Sequence, residues 1–106
     1  MRIVMLFNLK AGVATSDFEE WVRTRDLPGV RALVSVSNYQ VYHARHLLNG
    51  GGEPPYRYVG VVDINDREGF DRDMASESAR KLMAEFDGFT DAPVSLVTEP
   101  LSEVRP

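Results

Sequence analysis

The chain has 106 residues, with 16 acidic and 12 basic side chains, a formal net charge of −4 and no cysteine. That length holds one domain, residues 1–106, and the lack of cysteine excludes a disulfide scaffold, a thiolate zinc site and a cysteine nucleophile. The acidic balance argues against nucleic acid or an anionic membrane as partner. The longest apolar run near the start, Ile3 to Phe7, is far below the ~20 residues of a membrane span and lacks a cleavage site, so the cytoplasm is the expected location.

In chain order, Arg2 to Leu9 reads as a strand whose core, Ile3-Val4-Met5-Leu6-Phe7, is apolar at every position, so both faces must be buried. Lys10 to Val13 is a turn. Ser16 followed by Glu19 reads as a capping box that starts a helix, and Phe18, Trp21 and Val22 form its apolar stripe. Pro28-Gly29 interrupts that helix, and a short second piece over Val30 to Leu33 follows. A strand over Ser35 to Ala44 carries Tyr39, Val41 and His43 on one face and Asn38, Gln40 and Tyr42 on the other. Leu47 to Pro55 is a loop, mobile at Gly50-Gly51-Gly52 and stiff at Pro54-Pro55. Tyr56 to Ile64 is a third strand, apolar on both faces. Asp66 caps a second helix, which breaks near Met74-Ala75-Ser76 and resumes with a stripe of Ala79, Leu82, Met83 and Phe86 until Asp87-Gly88 ends it. Val94 to Thr98 is the last strand.

The order β-α-β-β-α-β is the ferredoxin-like α+β arrangement, a four-stranded antiparallel sheet with both helices on one face. Two helices cover one face only. The other, apolar in strands one, three and four, is left bare, and an apolar patch that large is rarely left in water. The simplest solution is a homodimer in which two sheets pack face to face into a barrel. A single copy of this size is expected to be too small for a deep ligand cavity, so the barrel would supply it.

The candidate chemistry is sparse. His43 and His46 are the only histidines; His43 is either a general acid or base or a residue at the rim of a hairpin. The two point to opposite faces of an extended chain with no third ligand nearby, so no metal site is expected. Asn38, Gln40 and Tyr42 either line the floor of a dimer cavity or form the solvated face of an edge strand. Asp63 is either a buried carboxyl with a raised pKa or a solvated rim carboxylate. Tyr56 and Tyr58 either close over an aromatic ligand or cap the core, with core favoured for Tyr58. Met5 and Phe7 either touch a substrate inside the barrel or pack it solid. Trp21, Met74 and Met83 read as packing. Arg23, Arg25, Arg31 and Asp26 read as a solvated charged face, with Arg25 and Asp26 positioned to pair locally.

These residues also carry a resemblance. Leu9-Lys10-Ala11-Gly12-Val13, after an apolar first strand, resembles the K-x-G-V turn of the dimeric α/β-barrel superfamily. The run Arg25 to Leu33, then Ser35-Val36, Tyr39 to Tyr42, Tyr56 to Asp66 and Phe70 to Ser76, is similar to the RedY-like (HapK) family within it. The resemblance implies a homodimer with a sheet-lined barrel and a role in bacterial secondary metabolism, in pathways to pyrrole or indole alkaloids; no organic cofactor is expected. Tyr42 and His43 are the positions it transfers. The leading expectation is a cofactor-independent enzyme that cyclises, condenses or tautomerises a small aromatic substrate by proton transfer. In it His43, Asp63 and Tyr42 are catalytic, and Asn38, Gln40, Tyr56, Met5 and Phe7 bind substrate. A cofactor-free monooxygenase and a non-catalytic carrier of a reactive metabolite are the alternatives.

Overall fold

A computed structural model describes residues 1–103 of the chain. The elements are β1 (Arg2–Leu9), α1 (Thr15–Trp21), a π-helical turn (Val22–Asp26), α2 (Leu27–Arg31), β2 (Val36–His43), β3 (Tyr58–Ile64), α3 (Arg67–Met74), α4 (Glu77–Phe89) and β4 (Thr90–Thr98). The four strands form one antiparallel sheet in the order β2-β3-β1-β4, the ferredoxin-like topology expected from the sequence.

The register assigns the faces. Phe7 stands opposite Tyr58, Met5 opposite Gly60 and Ile3 opposite Val62, while Tyr39, Val41 and His43 stand opposite Val62, Gly60 and Tyr58. These odd positions of β1 and β2 face the helices. The other face carries Val4, Leu6, Gln40, Tyr42, Val59, Val61, Asp63, Val94 and Leu96. Met5 and Phe7 therefore do not line the open face that would meet a second copy; their neighbours Val4 and Leu6 do. Phe7 has no exposed surface and packs edge-on against Phe18 and Phe86, with its ring stacked on Tyr58. A substrate would have to displace the core to touch it. Burial of each such ring contributes about 1.5–3 kcal/mol.

Local chemistry departs from the sequence reading at three points. The first helix begins at Thr15 with Ala14 as its N-cap, and no side chain caps it. Glu19 is drawn away from the expected capping box because its Oε2 accepts the Tyr58 hydroxyl across the core at 2.9 Å. Nor does Pro28 break the helix. A proline ring in an α-helix collides with the carbonyl four residues back. The chain instead widens to π pitch over Val22–Asp26, where the Leu27 N–H reaches the Val22 carbonyl, and α2 follows without a gap, with Pro28 in its first turn. Finally, α4 runs on through Asp87 and Gly88 to Phe89, because Thr90 enters β4 directly and its hydroxyl bonds the Phe86 carbonyl at 3.0 Å. The break between α3 and α4 is where the sequence places it: Ser76 caps α4, its Oγ accepting the Ala79 N–H.

Candidate functional site

In the helical layer α2 lies over β2, Phe18 of α1 packs on Phe7 and Tyr58, and Phe86 of α4 reaches Phe7 as well, with Phe70 of α3 against the Tyr39 and Val62 cluster. Between these helices and the sheet lies a cavity of about 190 Å³, lined by Ile3, Met5, Tyr39 and Val62 below and by Val30, Phe70, Met74, Met83 and Phe86 above, with Asp26 and Ser95 as further polar residues. A single copy thus holds a small, half-open cavity on the helix side of the sheet, the face opposite the one expected to meet a second copy. Gly60 lies beneath Met5, and a Cβ there would come within 2.7 Å of the Met5 Cε.

Asp26 is the chemical centre of this cavity. It is 5% exposed, and its Oδ2 accepts the hydroxyl of Tyr39, itself 2% exposed, at 2.6 Å. No cationic side chain lines the cavity. Burial therefore pushes the Asp26 carboxyl up to about 6, and the hydrogen bond from Tyr39 offsets only part of that. Tyr39 is pushed upward too, by burial first and then by the Asp26 charge, so it stays a hydroxyl donor. Arg31 donates from Nε to the Tyr39 carbonyl at 3.0 Å and ties α2 to the outer edge of β2. A carboxyl poised near neutral pH in an apolar cavity is suited to take up and return a proton.

The sequence candidates do not gather at one place. His43, the last residue of β2, faces the helices and stacks on Tyr58 with ring centroids 5.0 Å apart. It borders a second cavity of about 190 Å³, with Glu19, Arg23, Gln40 and Tyr58, whose lining does not include Asp26. Tyr42 lies on the opposite face of the sheet and is 55% exposed. Asp63 shares that face at its far end. There Arg2 donates to it from Nε at 2.7 Å and from Nη2 at 3.1 Å, and this pairing lowers the carboxyl instead of raising it. Asn38 stands opposite Asp63, and the Gln40 Oε1 accepts the Val41 N–H at 3.0 Å, which blunts the sheet edge. Tyr56 precedes β3 in the loop, half-buried. Of the proposed substrate contacts, only Met5 lines the Asp26 cavity.

Asp26 does not figure among the sequence candidates. It reads there as the partner of Arg25, which in the structure turns away to Glu85. A signal was present: Asp26 falls four residues after Val22 and eight after Phe18, on the apolar stripe and not on the charged face. Among the described residues, no group of three or more His, Asp or Glu side chains is placed to hold a metal ion. Among the same residues, no helix is long and apolar enough to cross a membrane.

The fold and its helix-covered cavity define a ferredoxin-like α+β protein. The chain belongs to the REDY-like HapK family, whose model matches residues 1–101. It is similar to HapK from Hahella chejuensis, with 26% identity, a TM-score of 0.73 and coverage of 100% of this chain and 98% of that one. It also shares its fold with At3g17210 from Arabidopsis thaliana (16% identity, TM-score 0.79, 98% of each chain covered). A third likeness is SnoaB, a cofactor-independent oxygenase from Streptomyces nogalater (15% identity, TM-score 0.70, 96% of each chain covered). No curated protein matches in sequence.

Proposed function

We propose that this protein is a homodimeric, cofactor-independent enzyme of secondary metabolism that moves a proton on a small pyrrole- or indole-like intermediate bound in the Asp26 cavity. The observation that carries the reading is a buried carboxyl, raised to about 6, inside an apolar cavity where it accepts the Tyr39 hydroxyl. Size supports the ligand class. A cavity of about 150 Å³ admits benzene, so about 190 Å³ suits one ring or a fused pair. The aromatic edges of Phe70 and Phe86 and the thioethers of Met5, Met74 and Met83 favour a flat aromatic face.

Each group has a separable task. Tyr39 holds Oδ2, which leaves Oδ1 for the ligand. The ionised carboxylate removes a proton from a carbon or nitrogen beside a carbonyl or imine, and the electron pair moves onto that oxygen or nitrogen. The same proton then returns to another atom of the ligand. The net change is an isomerisation that needs no oxidant or reductant, and ring closure or condensation follows from the same enol or enamine. Exclusion of water by the apolar lining strengthens each polar contact. The homodimer forms through the open sheet face, and a crystallised ferredoxin-like neighbour described as dimeric supports this (21% identity, TM-score 0.68).

Oxindole is a suitable probe, since removal of a C3 proton gives its enolate, and a proton returned to the oxygen instead of C3 gives the 2-hydroxyindole tautomer. The protein is expected to accelerate exchange of the C3 hydrogens in heavy water, followed by proton NMR, without oxygen uptake. Asp26→Asn should return the rate to that of buffer. Equal rates for the two proteins would remove Asp26 from the chemistry. Oxygen consumption that accompanies loss of an electron-rich aromatic would favour the oxygenase alternative.

A further inference from the structure

We infer that Glu85 is a positioning residue that braces the π-helical turn and thereby aims Asp26 into the cavity; this rests on the reading of Asp26 given above. Glu85 projects from α4 and is the shared acceptor of a three-way clamp. Its Oε1 accepts the Trp21 indole N–H at 2.8 Å and the Arg25 Nε at 3.0 Å, and its Oε2 accepts the Arg25 Nη2 at 2.7 Å. Trp21 is the last residue before the π turn and Arg25 the last but one within it. A single carboxylate on α4 therefore holds both ends of the wide turn. Asp26 follows Arg25 directly, and Phe86, which follows Glu85, lines the cavity that Asp26 enters.

The brace is needed because a π turn is a rare, single-turn departure from the α-helix that persists where its surroundings hold it. Two independent donors on one carboxylate, one of them bidentate, supply a fixed geometry as well as attraction. Both donors pull Glu85 down to about 2, so the brace is charged at any pH where the protein is used, and Lys81 on the same helix adds to this. Without the brace, the turn can relax toward α pitch and swing Asp26 from Tyr39 into water. Among the described residues, no other titratable group competes for Asp26. Tyr39 of β2 is its partner, Arg31 of α2 is engaged by the Tyr39 carbonyl, and the residues that β1, β3, β4, α3 and α4 place around the cavity are uncharged.

The test is a carboxyl-carbon NMR titration of Asp26 in the full chain, with Glu85→Gln and Arg25→Gln removing the clamp from either side. In the wild type the midpoint is expected at about 6. In both variants it should move most of the way to the ordinary value of 3.8 while the sheet resonances keep their dispersion. Variants that melt at lower temperature yet keep the wild-type midpoint would show a merely structural clamp and overturn the inference, leaving the reading of Asp26 intact. A wild-type midpoint near 3.8 would sink both.

Discussion

The wild-type protein is expected to gain stability as the pH is lowered from 8 to 5, and Asp26→Asn is expected to abolish that gain. The sign follows from the direction of the shift. Asp26 is raised from 3.8 to about 6 in the folded state, so the fold binds a proton that the unfolded chain releases over that window. The stabilising contribution of the protonated form is complete below 3.8 and is lost as pH rises through about 6. A shift of this size corresponds to about 3 kcal/mol, and Asp26 is too buried for solvent to screen it. Glu85, Asp63 and Asp73 are shifted the other way by Arg25 with Trp21, by Arg2 and by Ser35 respectively. Their contribution is present above the ordinary carboxylate range and falls away in acid. The two opposed trends place the stability maximum at roughly pH 5. Asn at position 26 keeps an oxygen for the Tyr39 hydroxyl and carries no charge. It should therefore raise stability at pH 8 by about 1–2 kcal/mol, the trade of function for stability common at active sites. Urea unfolding at pH 8 and pH 5 checks both statements, and a flat wild-type profile would contradict them.

The second large effect concerns the open face of the sheet. Val61 lies near its centre, opposite Val4 on one neighbour strand and Gln40 on the other, with Leu6, Val59, Val94 and Leu96 around it. Leu96 is 45% exposed and Tyr42 55% in the single copy. Four strands of about eight residues present roughly 20 by 25 Å, so two such faces bury on the order of 1,000 Å² before side-chain relief is counted. That area suffices for a specific dimer if its centre is apolar, as this one is. Val61→Glu places two unpaired carboxylates at the two-fold contact, where burial of a charge costs several kcal/mol. Sedimentation velocity should find a dimer for the wild type and a monomer for the variant, with affinity weakened by about 10³-fold or more. The Asp26 titration should survive in the monomer, because its cavity lies on the other side of the sheet. A wild-type monomer, or a Val61→Glu dimer of unchanged affinity, would contradict the proposed interface.

Much of this architecture is legible from patterning alone. Of the three strands that read as apolar on both faces, β1 and β3 are the two inner strands of the sheet, whereas β4 lies at its edge. The alternation that groups Asn38 with Gln40 and Tyr42, and Tyr39 with Val41 and His43, matches the register of β2 on β3. Period-two alternation, however, does not say which face of a doubly apolar strand meets the helices. That depends on how β1 is registered against Tyr58 and Gly60, a long-range choice. Hence the sequence suggests Met5 and Phe7 for the open face, and the structure places Val4 and Leu6 there. The site was hidden by a similar non-local effect. Arg25 and Asp26 are neighbours of opposite charge, which suggests a surface pair. Glu85, sixty residues away, takes Arg25, and Tyr39 takes Asp26. Glu19 is likewise drawn from a local cap by a hydroxyl on β3. In each case a tertiary partner outcompeted a local one.

The central claim is that a small aromatic ligand occupies the cavity beside Asp26, and methionine methyl NMR tests it directly. Three of the four methionines, Met5, Met74 and Met83, line that cavity, while Met1 lies outside it. With the methyls carbon-13 labelled and indole titrated in, the three cavity resonances should shift together and saturate, and Met1 should stay in place. Shifts confined to Met1, or none at indole concentrations up to its solubility, would contradict the account.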